Sequence, residues 1–297
     1  MTWLRITLDN ADHDPERLSE LLSAAGAAAV SFEDAADQAV LEPLPGETRL
    51  WNRTQISGLF AGDADSTAIS AHLRRVLDDP ALRITVTTLE DQDWERTWMD
   101  RFQAMRFGRR LWVCPHWQAP PHPEDVNILL DPGLAFGTGT HATTALCLEW
   151  LDGHDLHGKT VIDYGCGSGI LAIAAAKLGA RQVWAVDHDP QALIATANNA
   201  EANGVSHLIS LHEPDGLAQI NCDILLANIL AGPLQELAPR IAQRVRPGGW
   251  VVLSGILLEQ APLVMEKYQA WFNMEPIATR EEWVRLSGCR RALMVQE

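Results

Sequence analysis

Three short stretches combine glycines, carboxylates and amides at spacings suited to holding a nucleoside and aiming a nucleophile. Asp163-Tyr-Gly165-Cys-Gly167-Ser-Gly169 follows a strand-like run (TVIDY, 160–164) and opens a helical one (ILAIAAAKLGA, 170–180). A glycine-rich turn at such a junction lets a ligand approach the backbone, with the amide N–H groups of the helix N-terminus facing it. Dinucleotide folds use GxGxxG, whereas Ile170 stands here in the place of the third glycine. An anionic Asp163 beside the turn would repel a pyrophosphate. It suits a ligand carrying an ammonium group, as the methionyl end of S-adenosylmethionine does.

Asp187 ends the next strand-like run (QVWAVD, 182–187), 22 residues after Gly165. A carboxylate there can accept both ribose hydroxyls of a nucleoside. Asp189 reads as the N-cap of the following helix, with Pro190 at its first position. Asn228 closes a third run (DILLAN, 223–228), where its carbonyl could accept from an amine and aim the nitrogen lone pair. The alternative for Asn228 is a local Asx turn. Before these lies DPGLAFGTGTHATTALCLEW (131–150). No Gly-Lys-Ser/Thr follows its glycines, so it is not a P-loop. The loop from Phe136 through Gly137 and Thr138 to His141 is long enough to fold over a cofactor as a flap or acceptor gate, and Thr140 reads as the N-cap of a helix through Leu146 and Trp150.

Elements that would position these residues alternate as βαβα from Asn127 onward. Strand-like runs at 127–131, 160–164, 182–187, 223–228 and 250–255 are separated by helical ones at 170–180, 191–204 and 232–245. Near-continuous apolar strands between amphipathic helices imply a parallel sheet covered on both faces, with ligands at the carboxyl ends of the strands. Residues 1–92 read differently. Strands at 2–9, 28–34, 49–60 and 83–90, with helices from Pro15 and at 66–79, give the order β-α-β-β-α-β of a ferredoxin-like domain. Between the two, residues 93–108 place Trp94, Trp98, Phe102 and Met105 on one helical face, which predicts a linker helix. Residues 109–297 then form the second domain, opening with a strand at 111–115.

Composition bounds the function. The 297 residues carry a formal net charge of -16, and residues 1–92 hold 16 Asp and Glu against 7 Lys and Arg, a balance of -9. Such a field repels nucleic acid and attracts a basic protein, though an acidic surface can also serve solubility alone. Five scattered cysteines without CxxC spacing predict reduced thiols, and the histidine pairs His116/His122 and His154/His157 lack flanking ligands, so no metal is expected. No apolar run reaches ~18 residues and no basic-then-apolar leader opens the chain, so no membrane association and a cytoplasmic location are expected.

Taken together, DPGLAFGTGTHATT, DYGCGSGILAIAAAKLGA, VDHDPQALIATANNAEANG, ANILAGPL and RPGGWVVLSGIL resemble, in order, the motif series of the ribosomal-protein methyltransferase family PrmA. With the N-terminal unit and DWERTWMDRF, the resemblance covers nearly the whole chain. It implies a Rossmann-like S-adenosylmethionine-dependent methyltransferase domain behind a small ferredoxin-like α+β domain. The implied reaction methylates lysines and the N-terminal amine of a basic large-subunit ribosomal protein, the eleventh, with up to three methyls per nitrogen. By motif position, Thr144, Gly165, Asp187 and Asn228 would contact the cofactor or line its site, and residues 1–92 would recognise the substrate. One departure is Ala142, where the family usually has Pro after the histidine; this bears on the stiffness of the loop.

A lysine with a pKa of about 10.4 is ~0.04% neutral at pH 7, so the acceptor must shed its proton before attack. His141 is the histidine of the gate and a candidate relay, and Asn228 would orient the neutral amine. A small-molecule or RNA methyltransferase would share the cofactor motifs, but the charge argues against RNA and the extra acidic domain against a small acceptor. A non-enzymatic cofactor-binding module would need neither Asn228 nor the flap.

Overall fold

The computed structural model describes residues 2–9, 13–34, 54–89, 103–130, 141–217 and 220–292. The chain divides into two compact units, Met1–Arg101 and Phe102–Glu297.

In the smaller unit, strands β1 (Trp3–Asp9), β2 (Ala29–Asp34), β3 (Thr54–Ala61) and β4 (Ile84–Leu89) alternate with helices α1 (Pro15–Ala24) and α2 (Ser66–Val76). The sheet order is β2-β3-β1-β4, and every pair is antiparallel. This is the β-α-β-β-α-β sandwich that the alternation predicts. Its cause is local: Pro15 starts α1, the Asp65 side chain accepts from Thr67 and Ala68 N–H at the start of α2, and Ile6, Leu8, Ile56 and Phe60 face Leu18, Leu22 and Leu73 in a dry core. Of the run expected at 49–60, residues 49–53 lie outside the described residues.

The larger unit opens with a three-stranded sheet of β5 (Met105–Phe107), β6 (Leu111–Cys114) and β7 (Val126–Leu129). Two expectations are corrected here. Met105 belongs to β5, antiparallel to β6, and not to a helix; Trp94, Trp98 and Phe102 lie outside the described residues. The helical spacing of the aromatics ran into a segment whose own alternation, half-buried Met105, exposed Arg106 and buried Phe107, is that of a strand. The run at 127–131 does not join the large parallel sheet either: β7 pairs in parallel with β6 alone.

The main sheet has eight strands. Along it run β10 (Ile209–His212), β9 (Gln182–Val186), β8 (Thr160–Tyr164), β11 (Cys222–Asn228), β12 (Val245–Leu257), β15 (Trp283–Arg290) and β13 (Phe272–Met274), while β14 (Ala278–Arg280) pairs with β15. Strands β10 to β12 are parallel, and β15 is antiparallel to its neighbours. Helices α3 (Ala142–Asp152), α4 (Ile170–Lys177) and α5 (Pro190–Ala202) share one core with Val161, Val183, Ile224, Leu226 and Val252. Helices α6 (Ala231–Arg244) and α7 (Ala261–Tyr268) share the other with Ile162, Val186, Leu225, Val251 and Leu253. Adjacent residues of one strand thus serve opposite cores, which explains the unbroken apolar runs. Asp223 accepts from the Thr160 N–H and hydroxyl (2.7 and 2.8 Å), stapling the start of β11 to the start of β8. Their other ends meet where strand order reverses, the crevice in which open α/β sheets hold ligands.

Candidate functional site

The turn from β8 to α4 is fixed before any ligand arrives. Gly165 and Cys166 donate N–H to the Val186 carbonyl, and Gly167 N–H donates to Asp187 Oδ2 at 2.9 Å. From α5, the Thr196 hydroxyl donates to the Gly167 carbonyl and the Asn199 amide to that of Ser168 (3.0 and 2.8 Å). Asp187 follows β9, is buried, and accepts Asp189 N–H with its other oxygen, so ribose hydroxyls would take the remaining lone pairs. Asp189 caps α5 by accepting from Gln191 N–H, with Pro190 first in the helix, as the sequence predicts.

Asp163 is almost wholly buried under this turn. Its Oδ2 accepts Ala172 N–H at 3.0 Å, while Oδ1 has no partner among the described residues. Desolvation pushes its pKa up to about 7, and the Asp187 charge adds to the rise. An unpaired carboxylate oxygen in a dry position is costly unless a cation or donor comes to it.

The tip of β11 is tied to the same turn by close backbone approach. Gly165 and Gly255 both have positive φ (77° and 82°), and a Cβ on either would collide with Ile229, on Cγ2 and on the backbone oxygen respectively. Ile229 is therefore held between the glycine turn and β12, which fixes Asn228 just before it. Gly255 lies within the run RPGGWVVLSGIL, but nothing in its spacing announces the contact with Ile229.

Asn228 is half-buried and donates from Nδ2 to Thr144 Oγ1 at 3.3 Å, and its Oδ1 accepts no hydrogen bond among the described residues. Thr144 is buried in the first turn of α3. The cap of that helix is His141, in place of the expected Thr140, which lies outside the described residues. Thr143 N–H points to His141 Nδ1 at 3.4 Å, and the Thr143 hydroxyl lies 2.7 Å from the same nitrogen. An imidazole lone pair can serve as the capping acceptor in place of a hydroxyl oxygen, so the signal for the cap was one residue further on. The other face of His141 meets Trp283 edge-on, with ring centroids 4.8 Å apart, a contact no motif announced.

Asp163, Gly165, Gly167 and Asp187 thus surround one turn, and Thr144 and Asn228 meet beside it, one helical turn from His141. Phe136, Gly137 and Thr138 lie outside the described residues. Among the described residues no cluster of His, Cys, Asp or Glu could hold a metal ion, and no helix is long and apolar enough to cross a membrane. Tight turn geometry, with a buried carboxylate oxygen and an amide oxygen that have no partner among the described residues, fits a cationic nucleoside and an amine side by side.

Comparison with known proteins gives the same direction. The family model described as "Ribosomal protein L11 methyltransferase (PrmA)" matches residues 2–291. A ribosomal protein L11 methyltransferase of Actinobacillus pleuropneumoniae serotype 5b (strain L20) is 52% identical over 293 residues, 98% of this chain and 100% of the relative. One of Pseudomonas aeruginosa (strain LESB58) is 53% identical over the same shares of both chains. Among solved structures, a ribosomal protein L11 methylase from Lactobacillus delbrueckii subsp. bulgaricus matches with a TM-score of 0.58 and 33% identity, covering 64% of this chain and all of that one. The larger unit is a Rossmann-like methyltransferase domain.

Proposed function

This chain belongs to the ribosomal protein L11 methyltransferase family, and we propose that it methylates lysine side chains and the N-terminal amine of ribosomal protein L11 with S-adenosylmethionine. The observation that carries the reading is the meeting of Asn228 and Thr144 beside the glycine turn, which leaves an amide oxygen to receive an amine.

Asp163 Oδ1 would take the methionyl ammonium, Asp187 the ribose hydroxyls, and the N–H groups around Gly165 and Gly167 the approach of the ligand. Bound S-adenosylmethionine supplies an electrophilic methyl: the amine lone pair forms the N–C bond as the S–C bond breaks, and sulfur keeps the pair as a thioether. Asn228 holds the neutral amine by accepting one of its N–H groups, so the lone pair points at the methyl carbon. Thr144 fixes the Asn228 rotamer from the opposite side. The amine sheds its proton to water on entry, since the Nδ1 lone pair of His141 is committed to the cap of α3. Neither metal nor covalent intermediate is required.

Residues 1–92, with their charge balance of -9, would capture the basic ribosomal protein. Capture would weaken with salt, because exposed complementary charges are screened over about 8–10 Å at 0.1–0.15 M. Mass spectrometry of ribosomal protein L11 incubated with enzyme and S-adenosylmethionine tests the whole reading. Added methyl groups on lysines and the N-terminus are expected; an unmodified protein with turnover on RNA or a small amine instead would sink it.

A further inference from the structure

We propose that Trp283, with Leu230 and Leu258, forms the mouth of the acceptor channel, gripping the methylene stem of a lysine and so favouring lysine over a stemless amine. The inference rests on the functional reading above and adds Trp283 and Leu258, which lie outside the quoted motifs.

Alternation along β15 sets the geometry. Val284 and Leu286 face the core beneath α6 and α7, so Trp283 and Arg285 face α3. Both reach that helix: Arg285 Nη1 donates to the Leu146 carbonyl at 3.1 Å, and Trp283 meets His141, the N-cap residue. Trp283 also pairs with Leu257 across the β12–β15 ladder, beyond the pairing of Asn228 with Ser254 in β11 and β12. Trp283 therefore lies further towards the carboxyl end of the sheet than Asn228, two strands over, on the side of α3 whose first turn carries Thr144.

Two leucines share that end of the sheet, just past β11 and β12. Leu230 lies two residues past Asn228 and Leu258 next to the partner of Trp283, and they are 52% and 54% exposed. With the half-buried Trp283, they offer apolar surface at the end of the sheet where Asn228 lies. Their surroundings are acidic: Glu259, Glu281 and Glu282 are all exposed, the last two at the turn between β14 and β15. Apolar lips within a carboxylate rim fit a lysine side chain on a basic segment, its stem against the lips and its neighbouring cations on the rim. An N-terminal amine has no such stem and would reach Asn228 without using the lips.

Trp283→Ala and Trp283→Phe in the full chain test this, with S-adenosylmethionine affinity measured by calorimetry and methylation of ribosomal protein L11 resolved site by site. The expected result for Trp283→Ala is a loss of at least tenfold in kcat/KM at lysines, an N-terminal rate within threefold of wild type, and unchanged cofactor affinity. Trp283→Phe should recover most of the lysine rate. Charge reversal of Glu281 and Glu282 to Lys should raise KM for the protein substrate and flatten its salt dependence. Equal loss at lysines and N-terminus, weakened cofactor binding, or no loss at all in Trp283→Ala would overturn the proposal. If wild type modifies only the N-terminal amine, the lysine reading falls and this inference with it. If wild type modifies lysines and Trp283→Ala does so equally well, only this inference falls.

Discussion

The two halves of the candidate site are built to different standards. Around the glycine turn, Asp187, Thr196 and Asn199 converge from β9 and α5, and α4 leaves the turn through residues that are buried without exception from Ile170 to Ala176. At the acceptor side, among the described residues, a 3.3 Å hydrogen bond joins Asn228 to Thr144, and Leu230 and Leu258, just past the ends of β11 and β12, stand half in solvent. A cofactor of constant shape rewards a preformed cradle, because binding then orders little. An acceptor that arrives on another protein needs an open approach and a few fixed atoms. The difference teaches where each kind of mutation should be read: in affinity on one side, in turnover on the other.

The largest expected effect breaks the acceptor half alone. Asn228→Ala should lower kcat by about 100-fold, the order expected when a reacting group loses its alignment, while cofactor affinity stays within threefold. Turnover near wild type at saturating cofactor would remove Asn228 from the chemistry. Gly255→Ala sharpens the point, since its Cβ would push on the Ile229 backbone without touching a ligand. It should lower kcat by at least tenfold. If kcat stays unchanged in a folded variant, the wedge around Ile229 does not set Asn228.

Asp187→Ala addresses the cofactor half. Hydrogen bonds to a charged group contribute about 1.5–3 kcal/mol, so the cofactor Kd should rise roughly tenfold or more, with kcat at saturation little changed. Unchanged affinity by calorimetry would exclude Asp187 from the site.

Asp163 turns the same half into a pH-dependent one. Its pKa is raised from 3.8 to about 7 by burial, so the folded protein without ligand prefers the protonated acid. The stability this contributes is fully present below pH ~4 and is lost as pH rises through about 7. A ligand ammonium at Oδ1 favours the carboxylate instead, so binding expels a proton wherever the acid was neutral. Cofactor affinity should therefore fall about tenfold between pH 8 and pH 6. In Asp163→Asn the pH dependence should vanish, affinity at pH 8 should fall, and thermal stability at pH 8 should hold or rise. A wild-type affinity flat across that range would mean that Asp163 does not meet the ammonium.

Much of this was legible in sequence, for reasons of chain distance. The glycine turn, Asp163 and Asp187 lie within one β-α-β run, where spacing and geometry are nearly the same thing. The smaller unit was legible because each of its helices starts at a proline or a capping Asp and its strands alternate. The acceptor side would be assembled from α3, β11, β12 and the β14–β15 turn, which together span more than a hundred residues of chain, and the contacts of Trp283 and Gly255 have no local signal until those segments meet. Antiparallel insertion of β15 was equally hidden, because Ser287 and Arg285 within it suggest a surface while the fold buries or half-buries them. The end of the expected linker helix has a simpler cause: helical spacing carried the reading through Met105, where the strand Met105–Phe107 begins, while Trp94, Trp98 and Phe102 lie outside the described residues.

His141 should give the smallest effect, and it decides which half the residue serves. Where the imidazole caps α3 by accepting at Nδ1, the neutral ring carries its hydrogen on the other nitrogen, and in that tautomer no lone pair remains for a substrate proton. A relay through His141 would cost α3 its cap, and α3 carries Thr144. Asn is among the best capping residues and cannot shuttle protons at neutral pH. His141→Asn should therefore keep thermal stability and leave kcat within about threefold, with the pH profile of turnover unmoved. His141→Ala, which removes the cap, should cost about 1 kcal/mol of stability, and its loss of turnover should follow from displacement of Thr144. A large fall in kcat for His141→Asn, with a changed pH profile of turnover, would instead make His141 the group that takes the lysine proton.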